Sequence, residues 1–432
     1  MGETDTDAAD RFDASIPNTK LDESTSGLWS RYRKLPRNVF AISLVSLLND
    51  TSSEIIYPLL PAFLFLTLGA SPAVVGLIEG AAESVSSLLK LFSGYFSDRR
   101  GRRKVFVVFG YSLANLIRPL LAFATSWYQV FAIRLTDRVG KGVRSAPRDA
   151  LIADTVSPEE RGLAFGFHRA MDHAGAVIGP LIGFLLLSLF AANQNSPSAL
   201  DYTRVFLMAS VPAIAAVLVV IFFVREPKKD VTPALSRARP NLSLRGFDGN
   251  FKRFLIIIAL FSLSNSSDAF LLLRAQTLGF SVTTIMLLWA MLHMSKVVSS
   301  LVGGDLSDRL GRRRLIVSGW ILYAAVYIGF AFVTNAVSVW ALFLVYGMYF
   351  GLAEGAEKAL VADLVKPEQR GTAYGLYNLA FGITVLPASL LMGALWTLWG
   401  PATAFLVGGS LGGAAAVLML LLVKAPAQNQ PA

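Results

Sequence analysis

The sequence predicts an all-α membrane protein of two pseudo-symmetric halves, and three observations carry that prediction. The 432 residues are 54% hydrophobic and only 16% charged, against roughly 25% charged in a typical soluble domain. The apolar residues come as long runs, such as Val205 to Val224 and Ala402 to Val423, and not as the stripes of amphipathic soluble helices. A short basic loop also occurs twice. Gly94-Tyr-Phe-Ser-Asp98-Arg99-Arg-Gly101-Arg102-Arg103-Lys104 returns 210 residues later as Gly304-Asp-Leu-Ser-Asp308-Arg309-Leu-Gly311-Arg312-Arg313-Arg314. A second pair follows at nearly the same offset: Ala150-Leu-Ile-Ala-Asp154 runs into Pro158-Glu159-Glu160-Arg161-Gly162, and Ala359-Leu-Val-Ala-Asp363 into Pro367-Glu368-Gln369-Arg370-Gly371. Internal duplication in a helical membrane chain marks secondary transporters, whose halves rock around a central site.

A bilayer core of about 30 Å needs about 20 apolar residues per helix. Twelve such spans can be laid out, at 38–66, 73–97, 105–124, 127–147, 164–190, 205–224, 254–273, 281–302, 315–333, 338–362, 372–397 and 402–423. Residues 1–37 read as a cytoplasmic tail. Its first part is acidic (Asp5, Asp7, Asp10, Asp13, Asp22 and Glu23) and lacks the basic and apolar regions of a signal peptide. Arg31, Arg33, Lys34 and Arg37 then bring positive charge to the headgroups before the first span. Residues 38–224 form the first six-helix bundle. Residues 225–253, with eight basic and three acidic residues plus Pro227, Pro233 and Pro240, form a cytoplasmic linker. Residues 254–424 form the second bundle and 425–432 a cytoplasmic tail. Apart from Ala191 to Arg204, the remaining loops are a few residues long, which makes neighbouring spans antiparallel.

The net charge of +10 invites a nucleic-acid reading, and its placement excludes it. About 28 Lys and Arg lie in the even-numbered loops and the tails, against two, Arg204 and Arg274, on the other side. That asymmetry sets both termini and the linker in the cytoplasm, whereas a nucleic-acid protein carries a basic face with interleaved aromatics on a soluble fold. There is no cysteine, so thiolate chemistry is absent.

The duplicated loops resemble those of the major facilitator superfamily, whose hallmark is Gly-x-x-x-Asp-Arg/Lys-x-Gly-Arg-Arg/Lys between helices two and three, echoed between helices eight and nine. The resemblance covers the membrane part and implies that superfamily's fold of two six-helix bundles. It also implies secondary active transport by alternating access in a cell inner membrane. It makes Asp98 a cytoplasmic latch within a gating set of Arg99, Gly101, Arg102, Asp308, Arg309, Gly311 and Arg312. Its helix-four partner is Arg138, within Arg138-x-x-Lys141-Gly142-x-Arg144-x-Ala146, with Arg134 one turn away as the alternative. Lys141 and Arg144 stand where the superfamily has Gln and a small residue. The bland alternative is that these cations only fix topology. In the fifth span, Gly175-Ala-Val-Ile-Gly179-Pro180-Leu-Ile-Gly183 resembles the superfamily's antiporter motif and implies efflux, with Phe184 in place of a second Gly. Ordinary small-residue packing is the alternative there.

Ionisable residues inside spans are costly and face a cavity or a partner. The first span carries Asn49, Asp50 and Glu54, the two acids four apart and so on one face. The second carries Glu79, Glu83 and Lys90, and the fifth opens with His168, Arg169, Asp172 and His173. The second half adds Asp268, Lys296, Glu354 and Glu357. A carboxylate in an apolar wall has its charged form disfavoured, so it can load and unload protons near neutral pH. Asp50 and Glu54, without a basic neighbour in sequence, are the first coupling candidates, with a structural hydrogen bond or salt bridge as the alternative. Glu354 and Lys358 have the order and spacing of a helical ion pair. His168 and His173 sit five apart and off one face, so no metal site is assigned. Lys90, Arg118, Arg169 and Lys296 could hold an anionic substrate or neutralise the acids.

No phosphate loop, His-Glu-x-x-His pair or Cys nucleophile is present, so neither an enzyme nor a cofactor is expected, and energy must come from a gradient. The expected function is proton-coupled export of a small molecule across the lipid bilayer. Transport of a metal ion such as iron, a metal chelate or an organic anion is the alternative. A transporter-like sensor or assembly protein is a third possibility, from a different class.

Overall fold

The computed structural model describes residues 35–100, 102–157, 160–226, 243–366 and 369–424, without the side chains of 98, 162 and 301–309. All regular structure among them is helical. The helices are α1 (Arg37–Thr67), α2 (Pro72–Arg100), α3 (Arg103–Phe123), α4 (Trp127–Thr155), α5 (Arg161–Phe190), α6 (Ala199–Phe222), α7 (Gly249–Thr277), α8 (Val282–Leu310), α9 (Arg312–Phe332), α10 (Ala336–Asp363) and α11 (Arg370–Leu422). Ten are long and apolar enough to cross a membrane; α4, rich in Arg and Asp, is not among them. In α11 the helix is interrupted at Gly400, whose φ of 84° suits only glycine, just before Pro401. Residues before this break pack on α2 and those after it on α7 and α9.

Several spans are less regular than the apolar runs suggest. The α1 segment changes to a 3-10 turn at Tyr57–Leu59 and a π turn at Phe63–Thr67, because Pro58 and Pro61 withdraw N–H donors from the ladder. The α7 segment is unwound over residues 265–268, where Asn, Ser, Ser and Asp side chains compete for backbone hydrogen bonds. The α4 helix continues well past the expected boundary at 147, to Thr155.

Two helix pairs join the halves: α2 with α11, and α5 with α8. The contacts spread from the rim away from the linker, where Ala73 N–H donates to Thr397 Oγ1 at 3.3 Å and Val282 N–H to the Gln194 carbonyl at 3.0 Å. They reach Ser84 Oγ, which donates to the Gly382 carbonyl, and Ser87 and Leu88 one turn on, which also lie against Gly382. Toward the linker the halves part.

Candidate functional site

A cavity of about 640 Å³ occupies that parting, within the roughly 300–1,000 Å³ of small-ligand sites. It runs from Asn49, Asp50 and Glu54, midway along α1, to Arg148, Asp149 and Gly371 at the helix ends near the linker. Glycines of α5 set the α1 wall. A Cβ added to Gly175 would lie 2.6 Å from the Leu47 carbonyl, and one on Gly179 would lie 2.7 Å from that of Thr51. Neither position tolerates a side chain, so the two backbones touch. The same glycines face the Cβ atoms of Asp50 and Glu54, which pins both acids on one seam beside the cavity. Gly183, one turn further, meets Met286 of α8 in the other half.

Behind this wall lies a buried polar layer. Arg118 donates from Nε to Asp137 Oδ1 at 2.8 Å, from Nη1 to the Asn49 carbonyl and Asn115 Oδ1, and from Nη2 to Asn49 Oδ1. Arg134 grips Glu79 with two parallel bonds of 3.0 and 2.7 Å. Burying any of these charges alone would cost several kcal/mol, and pairing with full hydrogen bonding offsets that cost. Arg138 lies 3.6 Å from both Glu83 and Asp137, and Lys141 lies 3.8 Å from Glu83. Arg138 is thus set at the level of Glu83. That is 15 residues, or about 22 Å of helix rise, from Asp98, whose side chain lies outside the described residues. Arg134, the alternative latch partner, is committed to Glu79.

The second half answers with aromatics. Glu54 accepts a 2.7 Å hydrogen bond from Trp289 Nε1 of α8, with His293 Nε2 3.9 Å away. Asp268, at the unwound part of α7, accepts from Tyr346 Oη at 2.7 Å and from Lys296 Nζ at 3.3 Å. Lys296 also sits 3.7 Å from the centre of the Phe350 ring. Asp268 shares a smaller cavity of about 210 Å³ with Glu79, Glu83 and Arg138. Glu357 is buried away from the main cavity, accepting from Trp320 Nε1 and Tyr377 Oη, while Glu354 and Lys358 form a half-exposed ion pair at 2.8 Å. His168, Arg169 and Asp172 line a further pocket with Arg148 and Asp149, and His173 is half-buried.

The duplicated motifs turn out to be each other's partners. Arg103 of α3 reaches Asp154 at 2.6 Å and the Ala150 carbonyl at the end of α4. In the second half Arg312 of α9 reaches Asp363 and the Ala359 carbonyl at the end of α10. Letter-by-letter matching pairs Arg312 with Arg102, but the structure pairs it with Arg103. The reason is that two residues, Gly101 and Arg102, separate α2 from α3, and only Gly311, with a φ of 84°, separates α8 from α9. Arg99 and Arg102 are exposed. Gly101 lies outside the described residues, as do the side chains of Asp308 and Arg309. Glu226, the second residue of the linker, accepts from the N–H groups of Arg103 and Lys104.

Of the residues expected at the cavity, Asn49, Asp50, Glu54, Lys90 and Asp172 line the main one, joined by Arg138, which was expected at the gate; Glu79, Glu83, His168, Arg169, His173, Asp268, Lys296, Glu354 and Glu357 do not line it. Sequence reasoning missed Asp137, Trp289 and His293, and treated Lys141 and Arg144 only as motif departures. The adjacency of Asp137 to Arg138 was the one available signal for the buried acid; the contact of Glu54 with Trp289 spans 235 residues and leaves no local trace.

Comparison with known proteins agrees with this architecture. The chain is 34% identical over 396 residues to an uncharacterized MFS-type transporter of Methanocaldococcus jannaschii, covering 90% of this chain and 96% of that one. It is 29% identical to the multi-drug resistance efflux pump PmrA of Streptococcus pneumoniae over 72% of this chain and 75% of that one. Among solved structures, the nucleoside transporter NupG superposes with a TM-score of 0.75 at 14% identity, over 89% of this chain and all of that one (100%). The Major Facilitator Superfamily family model matches residues 42–355 and 253–432. With its duplicated loops, paired half-bundles and central cavity accounted for by that match, the chain belongs to the Major Facilitator Superfamily of membrane transporters.

Proposed function

We propose that this transporter exports a small molecule by alternating access of two six-helix bundles and couples the movement to protons at Asp50 and Glu54. Counting α4 as a span, and α11 as two spans divided at Gly400, gives twelve. The basic loops support a cell inner-membrane protein with both termini in the cytoplasm, and the cavity then opens inward. The observation that carries the coupling is the setting of Glu54: a carboxylate on the α1–α5 seam, one turn from Asp50, bonded to Trp289 of the other half. A proton arriving on Glu54 removes the charge that strengthens this bond, so protonation and the meeting of the halves are linked. PmrA, named an efflux pump, and the helix-five glycines support the outward direction. Asp98 and the paired basic loops are the gate in this reading, with Arg103–Asp154 and Arg312–Asp363 bracing its rim.

The test is flux in proteoliposomes under an imposed pH gradient, using a panel of dyes and organic ions. Asp50→Asn with Glu54→Gln should abolish the response to the gradient while leaving ligand-induced thermal stabilisation intact. Gradient-driven flux undiminished in the double variant would remove these residues from coupling. Full-rate transport after Asp98→Asn would do the same for the latch.

A further inference from the structure

The cations of the main cavity differ in how far they are satisfied. Arg118 is hydrogen-bonded to Asp137 and Arg148 to Asp149, while Arg138 and Lys141 lie 3.6 and 3.8 Å from Glu83, the Nε of Arg138 without a hydrogen-bond partner among the described residues. Lys90 and Arg144 remain. Among the described residues neither has a carboxylate within ion-pair reach, although Asp50 and Asp172 lie within electrostatic range of Arg144 and Glu83 within that of Lys90. Arg144 is only 5% exposed, and its Nε and Nη1 have no hydrogen-bond partner among the described residues. Its guanidinium rests on the face of Tyr111, 4.2 Å from the ring centre. That contact steadies the charge and supplies no acceptor for the N–H groups. A buried guanidinium with unpartnered donors is costly, and an acceptor brought beside it offsets that cost.

We propose that the cargo carries an anionic head, a carboxylate or a phosphate, which docks between Arg144 and Lys90. This rests on the transporter reading above and narrows it to a substrate class. The planar fork of Arg144 matches two oxygens of either group, and Lys90 adds a point charge. The two side chains are carried on a stiff crossing. Gly142 of α4 lies against Ser86 and Leu89 of α2, and Ser93 Oγ donates to the Gly142 carbonyl at 2.9 Å. The helix backbones that carry both cations are therefore fixed before the anion arrives, which lowers the ordering cost of binding. On the facing wall, Tyr374 and Asn378 of α11 offer an aromatic and an amide without charge. The body of the cargo meets the second half there, while its head is held by the first.

The test uses the full-length protein in uncharged nanodiscs at low salt. Thermal unfolding is followed against benzoate, citrate, inorganic phosphate, glycerol 3-phosphate and, as the opposing class, tetraphenylphosphonium. Stabilisation by at least one anion is expected. In Arg144→Lys, which keeps the charge and loses the fork, the apparent affinity for that anion should fall about tenfold or more, and in Lys90→Gln several-fold. Each variant should unfold within a few degrees of the parent in the absence of ligand. Carboxylate and phosphate arms separate the two head groups. Anion binding unchanged in both variants, or stabilisation by tetraphenylphosphonium alone, overturns the anion site and leaves transport standing. No stabilisation by any probe, with no flux of any of them into vesicles, overturns the anion site and, with it, the proposed export of small organic ions, and leaves the family membership standing.

Discussion

The first half of the molecule has a divided apolar core. One cluster, around Leu59, Phe63, Val130 and Phe206, lies toward the side away from the linker, and another, around Ile42, Tyr111, Leu151 and Val220, lies toward it. Between them run Asn49, Glu79, Asn115, Arg118, Arg134, Asp137 and Arg144, all buried. The second half follows the same chain path with a single continuous core dominated by rings. There Phe261 stacks on Trp320 at 4.1 Å, and Tyr323 on Tyr327 at 4.2 Å. One duplicated design thus serves two physical purposes. The first half concentrates charge at the depth of the main cavity, and the second supplies an apolar body and, through Tyr374 and Asn378, an uncharged facing wall.

The largest expected effect tests the charged layer. Arg118→Met removes the one cation hydrogen-bonded to Asp137, leaving Arg134 at 3.8 Å and Arg138 at 3.6 Å, and should lower stability by about 3 kcal/mol, read as a large drop in thermal unfolding temperature in detergent. Adding Asp137→Leu should recover most of the loss; failure to recover would mean that the layer is held by something other than mutual pairing. Next is the seam. Gly179→Ala drives a methyl into the Thr51 carbonyl and should cost about 1–3 kcal/mol. Gly183→Ala, which meets the flexible end of Met286, should cost less, and equal losses would deny that the α1 backbone is the rigid partner. In the second half, Trp320→Phe keeps the stack on Phe261 and removes one of the two donors to Glu357. It should cost about 1–2 kcal/mol, and a loss as large as that of Arg118→Met would erase the contrast between the halves. Smallest is Lys358→Ala, which breaks the Glu354 pair on an exposed helix face. There a change of about 0.5 kcal/mol or less is expected, and a larger one would show the pair to be part of the gate.

The helices, their duplication and their charged loops were legible because each rests on a local signal: an apolar run, a glycine at a turn, a cluster of arginines. The Glu354–Lys358 pair was legible for the same reason, being four residues apart on one helix. What escaped was set by register and by distance in the chain. The bracing role of Arg103 in place of Arg102 depends on one extra loop residue, which letter matching cannot weigh. The layer formed by Asn49, Arg118 and Asp137 unites three helices through side chains whose facing is fixed only once α1, α3 and α4 are packed. Arg144 looked like a departure from a motif, and only its burial beside a cavity gives it a chemical meaning.

The glycine line of α5 has a mechanical consequence. Gly175 and Gly179 weld α5 to α1 within its own half, and Gly183 is the turn at which it meets Met286 of the other. That makes α5 a lever whose fulcrum is off-centre, toward the sealed rim. From Gly183 to His168 the arm is about 22 Å long at 1.5 Å per residue, so a tilt of about 10° sweeps its far end through about 4 Å. A small rotation at a tight joint is thereby magnified at the cavity mouth, and because of the weld Asp50 and Glu54 travel with the lever.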